Sequence, residues 1–166
     1  MTSNEKLLIV SEADYGKQYR DHCLALYQLY VESADKISDR RLNANTFFLT
    51  VNTALLGITG YLQSTGVQLL WLVALAGIVI SYTWYRLIEA YRSMNAAKFK
   101  VIHELEKQLP FALYDAEWEM LEKGRAAGGY TPFSKIEGRV PIVFLVLHVI
   151  AGLAIVSSVL AGFSQG

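Results

Sequence analysis

Charge stops twice along this chain. All 30 charged side chains, 15 basic and 15 acidic, fall within Glu5–Arg41 and Arg86–Arg139, and none lies in Thr46–Tyr85 or Val140–Gly166. A charged side chain at mid-bilayer costs at least ~2.5–3.5 kcal/mol, so membrane spans exclude charge. A soluble domain has no reason to do so over such lengths. The silent regions hold three apolar runs: Thr46–Leu62 and Leu69–Tyr85, each of 17 residues, and Val140–Phe163, of 24. About 17–25 residues cross a hydrocarbon core as a helix. The expectation is an all-α polytopic membrane protein with three transmembrane helices. Trp71 and Tyr61 fall at one end of the first pair of runs and Trp84 and Tyr85 at the other, as interfacial aromatic belts do.

Six Lys and Arg precede the first run, nine lie between the second and third, and none follows Val140 or lies within 63–68. The positive-inside rule then places the N-terminus and 86–139 in the cytoplasm, with 63–68 and the C-terminus outside. Met1–Val10 carries only the apolar stretch LLIV, too short for a signal-peptide core.

The cytoplasmic parts read as helix. Ser11 and Asp14 resemble a capping box. Apolar or small residues then recur at Tyr19, Cys23, Leu26, Tyr30, Ala34 and Ile37, one stripe of a helix. The stripe predicts a single helix from Ser11 to Tyr61. The second run continues past Trp84 through Ile88, Tyr91, Met94, Ile102, Leu105 and Leu109, interrupted by Lys98 and stopped by Pro110. The first two spans thus extend into a long cytoplasmic helical hairpin, with Leu26, Tyr30, Ile102 and Leu105 between its helices. Asp115 is placed as the N-cap of a short helix ended by Gly124, and Thr131–Pro132 as the start of the segment leading to the third span. The organisation expected is 1–45 as an N-terminal stalk helix and 46–85 as a transmembrane hairpin. Residues 86–139 form a cytoplasmic helical segment, and 140–166 the third transmembrane helix with a short outer tail.

Catalytic chemistry leaves no trace. His103 opens HELEK, but the zinc motif HExxH needs a second His where Lys107 stands. No Walker loop, dinucleotide fingerprint or G-x-S-x-G occurs. A single Cys23, on the apolar stripe, forms no disulfide framework, and zero net charge argues against nucleic-acid binding. No enzyme activity, cofactor or metal is expected. The acidic group Glu104, Glu106, Asp115, Glu117 and Glu119, with Trp118, reads as a solvated face, or else as a divalent-cation site or a docking site for a cytoplasmic protein partner.

Polar residues inside the runs carry more information. Asn45, Asn52 and Thr59 are seven apart, on one face of the first span. Thr46, Thr50, Thr53, Gly57 and Gly60 form an adjacent small-residue face; Ala74, Gly77 and Ser81 do so in the second span, and Ala154, Ser158 and Gly162 in the third. Such faces let helices approach closely and share hydrogen bonds. They pack within one protomer, pack between protomers, or line a pore. Three spans offer Asn45 and Asn52 few internal partners, which favours cover from neighbouring copies. His148 is the one ionisable side chain, tyrosines aside, fully inside a span, a candidate functional residue or a neutral His bonded to an Asn or Thr.

The strings VESADKISDRRLNANTFFLTVNTALLG (31–57), WYRLIEAYRSMNAAKFKVIHELEKQLP (84–110) and YDAEWEML (114–121) resemble the RipA-type family of small bacterial membrane proteins, described as octameric. The resemblance implies a bacterial inner membrane and a ring-like homo-octamer, and carries over no activity or functional residue. A pore or membrane platform is the expected function, possible in stress, defence or host adaptation. The alternative is a non-conducting adaptor presenting 86–139 to a protein partner.

Overall fold

The computed structural model describes residues 9–63, 70–121 and 136–163. Among them are five helices and no strand: α1 (Glu12–Tyr15), α2 (Tyr19–Gln63), α3 (Leu70–Glu106), α4 (Leu113–Met120) and α5 (Val140–Phe163). Of the connection expected at 63–68, Gln63 is the last residue of α2 and the rest lies outside the described residues, as do Gly124 and the Thr131–Pro132 start.

Ser11 does cap a helix. Its Oγ accepts from the Asp14 N–H at 3.3 Å and donates to Asp14 Oδ2 at 2.6 Å. That helix lasts four residues, because Gly16 adopts φ +90°, a left-handed conformation open to glycine and unfavourable for helix continuation. The long helix therefore starts at Tyr19, not Ser11. From Tyr19 neither Pro nor a left-handed residue interrupts it through Gln63. α3 ends at Glu106, four residues before Pro110.

Contacts divide the chain into two units. In the first, residues 1–39 and 93–131, α2 and α3 run antiparallel: Tyr27 meets Glu106 and Ser33 meets Lys98. Ala34, Ile37 and Ile102 are its buried apolar side chains. Leu26 is 57% exposed, which corrects its expected place between the helices. Tyr27 takes that place, since a helix face follows 23, 27, 30, 34 and 37 more closely than one through 26. Lys98, read as an interruption, packs: its Nζ lies 4.5 Å from the Tyr30 ring centroid and donates to Ser33 Oγ at 2.7 Å.

In the second unit, residues 40–92 and 132–166, α2, α3 and α5 pack together. α3 contributes Ala74, Gly77, Ser81, Trp84 and Ile88, all buried at alternating spacings of three and four. α5 contributes Pro141, His148 and Ile155, buried at spacings of seven. Ala154 and Ser158 face away, so the third helix uses another face than the small-residue one expected. Trp84 stacks on Phe48 at 5.9 Å and touches Phe144 at 6.0 Å. The rest of α5 exposes Val143, Val146, Ile150, Leu153 and Leu160, the surface of a helix solvated by lipid.

Among the described residues, two helices are long and apolar enough to cross a membrane, within Leu70–Glu106 and Val140–Ala161. On apolarity the three expected spans reduce to two. α2 carries no charge over Thr46–Leu62, but Asn52 and four threonines dilute its hydropathy.

Candidate functional site

The three helices of the second unit bring together one polar cluster. Asn52 Nδ2 donates to the Phe48 carbonyl, one turn back, at 2.8 Å. A carbonyl only accepts, so the amide nitrogen must face it and Oδ1 must face the other helices. Oδ1 then accepts twice: from Ser81 Oγ at 2.7 Å and from His148 Nε2 at 3.1 Å. His148 therefore carries a proton on Nε2. Asn52, Ser81 and His148 are each fully buried. His148 Nδ1 has no hydrogen-bond partner, and the ring lies flat against Gly77, where an added Cβ would overlap it. Only glycine admits the imidazole at that position. A few residues along, Trp84 Nε1 donates to Asn45 Oδ1 at 2.8 Å.

This arrangement corrects the premise that one protomer offers the asparagines too few internal partners. Sequence reasoning offered His148 a bond to an Asn or Thr without saying which, and named Ser81 only as part of a small-residue face. The joining signal was Gly77, one turn from Ser81, a space the size of a ring opposite the one intramembrane histidine. Thr59 is also buried and donates to the Leu55 carbonyl at 2.8 Å.

The neighbouring face of α2 behaves in the opposite way. Thr46, Thr50, Thr53, Gly57 and Gly60 are all exposed, and a Cβ at either glycine would meet nothing within 4 Å. Thr46 and Thr50 donate to the carbonyls of Leu42 and Thr46 at 3.1 and 2.9 Å. Their hydroxyls need neither water nor a partner helix. The sequence-level group Asn45, Asn52, Thr59 and the threonines thus divides into an inward set and an outward set.

In the first unit, the acidic group divides as well. Glu106, expected on a solvated or docking face, is 1% exposed. Its oxygens accept from Tyr27 OH at 3.1 Å, the Tyr114 N–H at 2.9 Å and the Asp115 N–H at 3.2 Å. It tethers the first turn of α4 to α3, supplying two of the amides that a helix start leaves unpaired. Asp115 lies inside that turn and Ala112 is the N-cap, so the capping role given to Asp115 belongs to Glu106 from outside. Burial, then the hydrogen bond and charge of Glu106, push the Tyr27 hydroxyl up to about 12. His103 Nδ1 lies 3.7 Å from Glu106 Oε2 and 3.5 Å from Asp115 Oδ1. Glu104 pairs with Lys107 at 2.7 Å. Glu117 lines an open groove of about 510 Å³ with Tyr27, Glu32, Asp35 and Tyr114, and Trp118 stands 44% exposed nearby in sequence. The groove is acidic: Asp35 and Glu117 help raise the Tyr114 hydroxyl, after burial.

Two helices long and apolar enough to cross a membrane, with their apolar surfaces largely exposed, are the features of an integral membrane protein. The chain belongs to the octameric membrane protein family (8xMP), whose pattern it matches over residues 24–157. Comparison with curated proteins and with solved structures finds no match.

Proposed function

We propose that this protein is a non-enzymatic, homo-octameric platform in the bacterial inner membrane, in which each copy crosses three times. Its N-terminus and the 86–139 segment face the cytoplasm and its C-terminus faces outward. The Asn52–Ser81–His148 cluster fixes the packing of the three spans within one copy. The Thr46, Thr50, Thr53, Gly57 and Gly60 face of α2 meets the next copy. The observation that carries this reading is the contrast on α2: the inward polar residues have partners and the small-residue face has no cover. A helix too polar to sit against lipid on its own gains from a protein neighbour. Small residues let backbones approach closely enough for van der Waals contact to drive association. An octamer, the assembly in the family's description, closes such a contact on itself as a ring.

The back-bonded hydroxyls of Thr46 and Thr50 favour a dry contact over a wet pore wall. In the cytoplasm the ring would display eight copies of the acidic groove beside Glu117 and Trp118, a surface for a protein partner. Gly57→Leu with Thr50→Leu, in nanodiscs, should lower the native mass below the octamer while helix content stays unchanged. An unchanged mass would move the contact elsewhere. Ion flux from liposomes above the lipid background would replace the platform with a pore.

A further inference from the structure

Within the second unit, α3 carries a ridge that its own protomer leaves bare. Leu72, Leu75, Val79 and Tyr82, spaced three, four and three apart, are between 44% and 56% exposed. They lie on the side of α3 opposite the buried Ala74, Gly77, Ser81 and Trp84. On α2, Gly60, Gly57, Thr53 and Thr50 repeat that spacing with small, exposed residues, and a Cβ at either glycine would meet nothing within 4 Å. The Asn52–Ser81 bond sets how these antiparallel helices stand level. Counted from it, each of the four α2 positions is one residue, ~1.5 Å along the axis, from a ridge residue. Gly60 pairs in level with Leu72, Gly57 with Leu75, Thr53 with Val79 and Thr50 with Tyr82. Both stripes are outward faces, so they cannot meet within one copy.

We propose that the Leu72, Leu75, Val79 and Tyr82 ridge of one copy packs on the Gly60, Gly57, Thr53 and Thr50 face of the next, head to tail around the octamer. This rests on the small-residue contact proposed above and names the surface that it meets. The family is octameric, so copies of this chain cover one another somewhere. With every copy oriented alike in the bilayer, a ring has one rotation axis, along the membrane normal, and neighbours meet through two different patches. Rotation about that axis leaves depth unchanged, so the two patches must stand level, as these do. Each large side chain then lies over a small one, the close approach that drives association between membrane helices. A cavity of about 220 Å³ shows which side of the unit the small-residue face occupies. Leu42, Thr46 and Leu49 of α2 line it with Val140 of α5, so the face that includes Thr46 opens beside α5. The outer ridge of α3 is turned the other way, toward the second neighbour.

The test is disulfide cross-linking of the full chain in nanodiscs, in a Cys23→Ser background, with copper phenanthroline as oxidant. Chains carrying Gly57→Cys and Leu75→Cys together should give a ladder of covalent species reaching eight chains, lost on reduction. Gly60→Cys with Leu72→Cys is an independent second pair and should do the same. Each single variant should give no cross-link. Gly57→Cys with Tyr82→Cys, ~9 Å apart along the axis, should give no ladder, and an equal ladder there overturns the register. Leu153 of α5 is 66% exposed and stands level with Gly57 through the His148–Asn52 bond, which makes it the competing partner. A ladder from Gly57→Cys with Leu153→Cys, and none from either α3 pair, overturns the proposal while leaving the α2 contact standing. Dimers from Gly57→Cys alone do likewise. No cross-link from any pair, with the octameric mass intact, overturns both the proposal and the α2 contact.

Discussion

Asn52→Leu is the substitution on which the inward and outward readings of α2 diverge. Leucine shares the branching of asparagine at Cγ and its methyl groups take more room than the amide, so the change removes polar atoms without opening a cavity. The lost acceptor is Oδ1, which serves Ser81 Oγ at 2.7 Å and His148 Nε2 at 3.1 Å. Side-chain hydrogen bonds between membrane helices contribute about 0.6 kcal/mol on average and up to about 1.7. Two of them give an expected loss of about 1–3 kcal/mol. Ser81 can rotate its hydroxyl toward the Gly77 carbonyl, as Thr83 does toward Val79 at 2.9 Å, which recovers part of its share. His148 cannot: its ring is held against Gly77, and Nδ1 is already unpartnered. Most of the loss should therefore vanish in a His148→Leu background. The assay is unfolding in mixed micelles by increasing anionic detergent, followed by helical circular dichroism, for the two single variants and the double. The account predicts a coupling of about 0.6–1.7 kcal/mol between Asn52 and His148. No coupling, or Asn52→Leu at wild-type stability with a changed mass or conductance, would refute it and move Asn52 to an interface or a pore wall.

Three further outcomes follow from the same contacts. Gly77→Ala should destabilise by about 1–3 kcal/mol through overlap with the imidazole, although alanine is the better helix former, and His148→Ala should rescue it in the same micelle assay. Tyr27 is held protonated up to about 12, against an ordinary value of ~10. Its contribution to stability is thus complete below about pH 10 and is lost as pH rises towards 12. The gap in melting temperature between wild type and Tyr27→Phe should be constant to about pH 10 and shrink above it; a gap that widens would contradict the Tyr27–Glu106 bond. For topology, membrane-impermeant thiol labelling of intact cells should reach Ser64→Cys and Ser164→Cys but spare Gly128→Cys, and labelling at 128 would invert the orientation.

How legible this was depended on the length scale. Charge segregation and a helical period extend over tens of residues, so the helical class and the apolar helices of α3 and α5 could be read directly. Positions decided by one turn of helix could not. The stripe through Leu26 differs from the true one through Tyr27 by a single residue, and leucine is as apolar as the face required. The partners of Asn52 are 29 and 96 positions away, on other helices. Periodicity shows that Asn52, Ser81 and His148 each lie on a face, not that the faces converge. Glu106 misled for a related reason. Among so many carboxylates it looked solvated, and only the placement of α4 shows that it caps a helix from outside. Gly16 could be named as the lone glycine in the stalk, but its positive φ, which sets where α2 begins, is a property of the chain path.

The account rests on the claim that α2 keeps Asn52 and Thr59 inside the protomer and offers its small-residue face to another copy. Native mass spectrometry of the protein released from nanodiscs measures this most directly. The prediction is a single species of eight 18.6 kDa chains, dispersed by the double substitution Thr50→Leu, Gly57→Leu and unaffected by Asn52→Leu. A wild-type protein recovered as a stable monomer, or an octamer that Asn52→Leu disperses and the double substitution leaves intact, would contradict it.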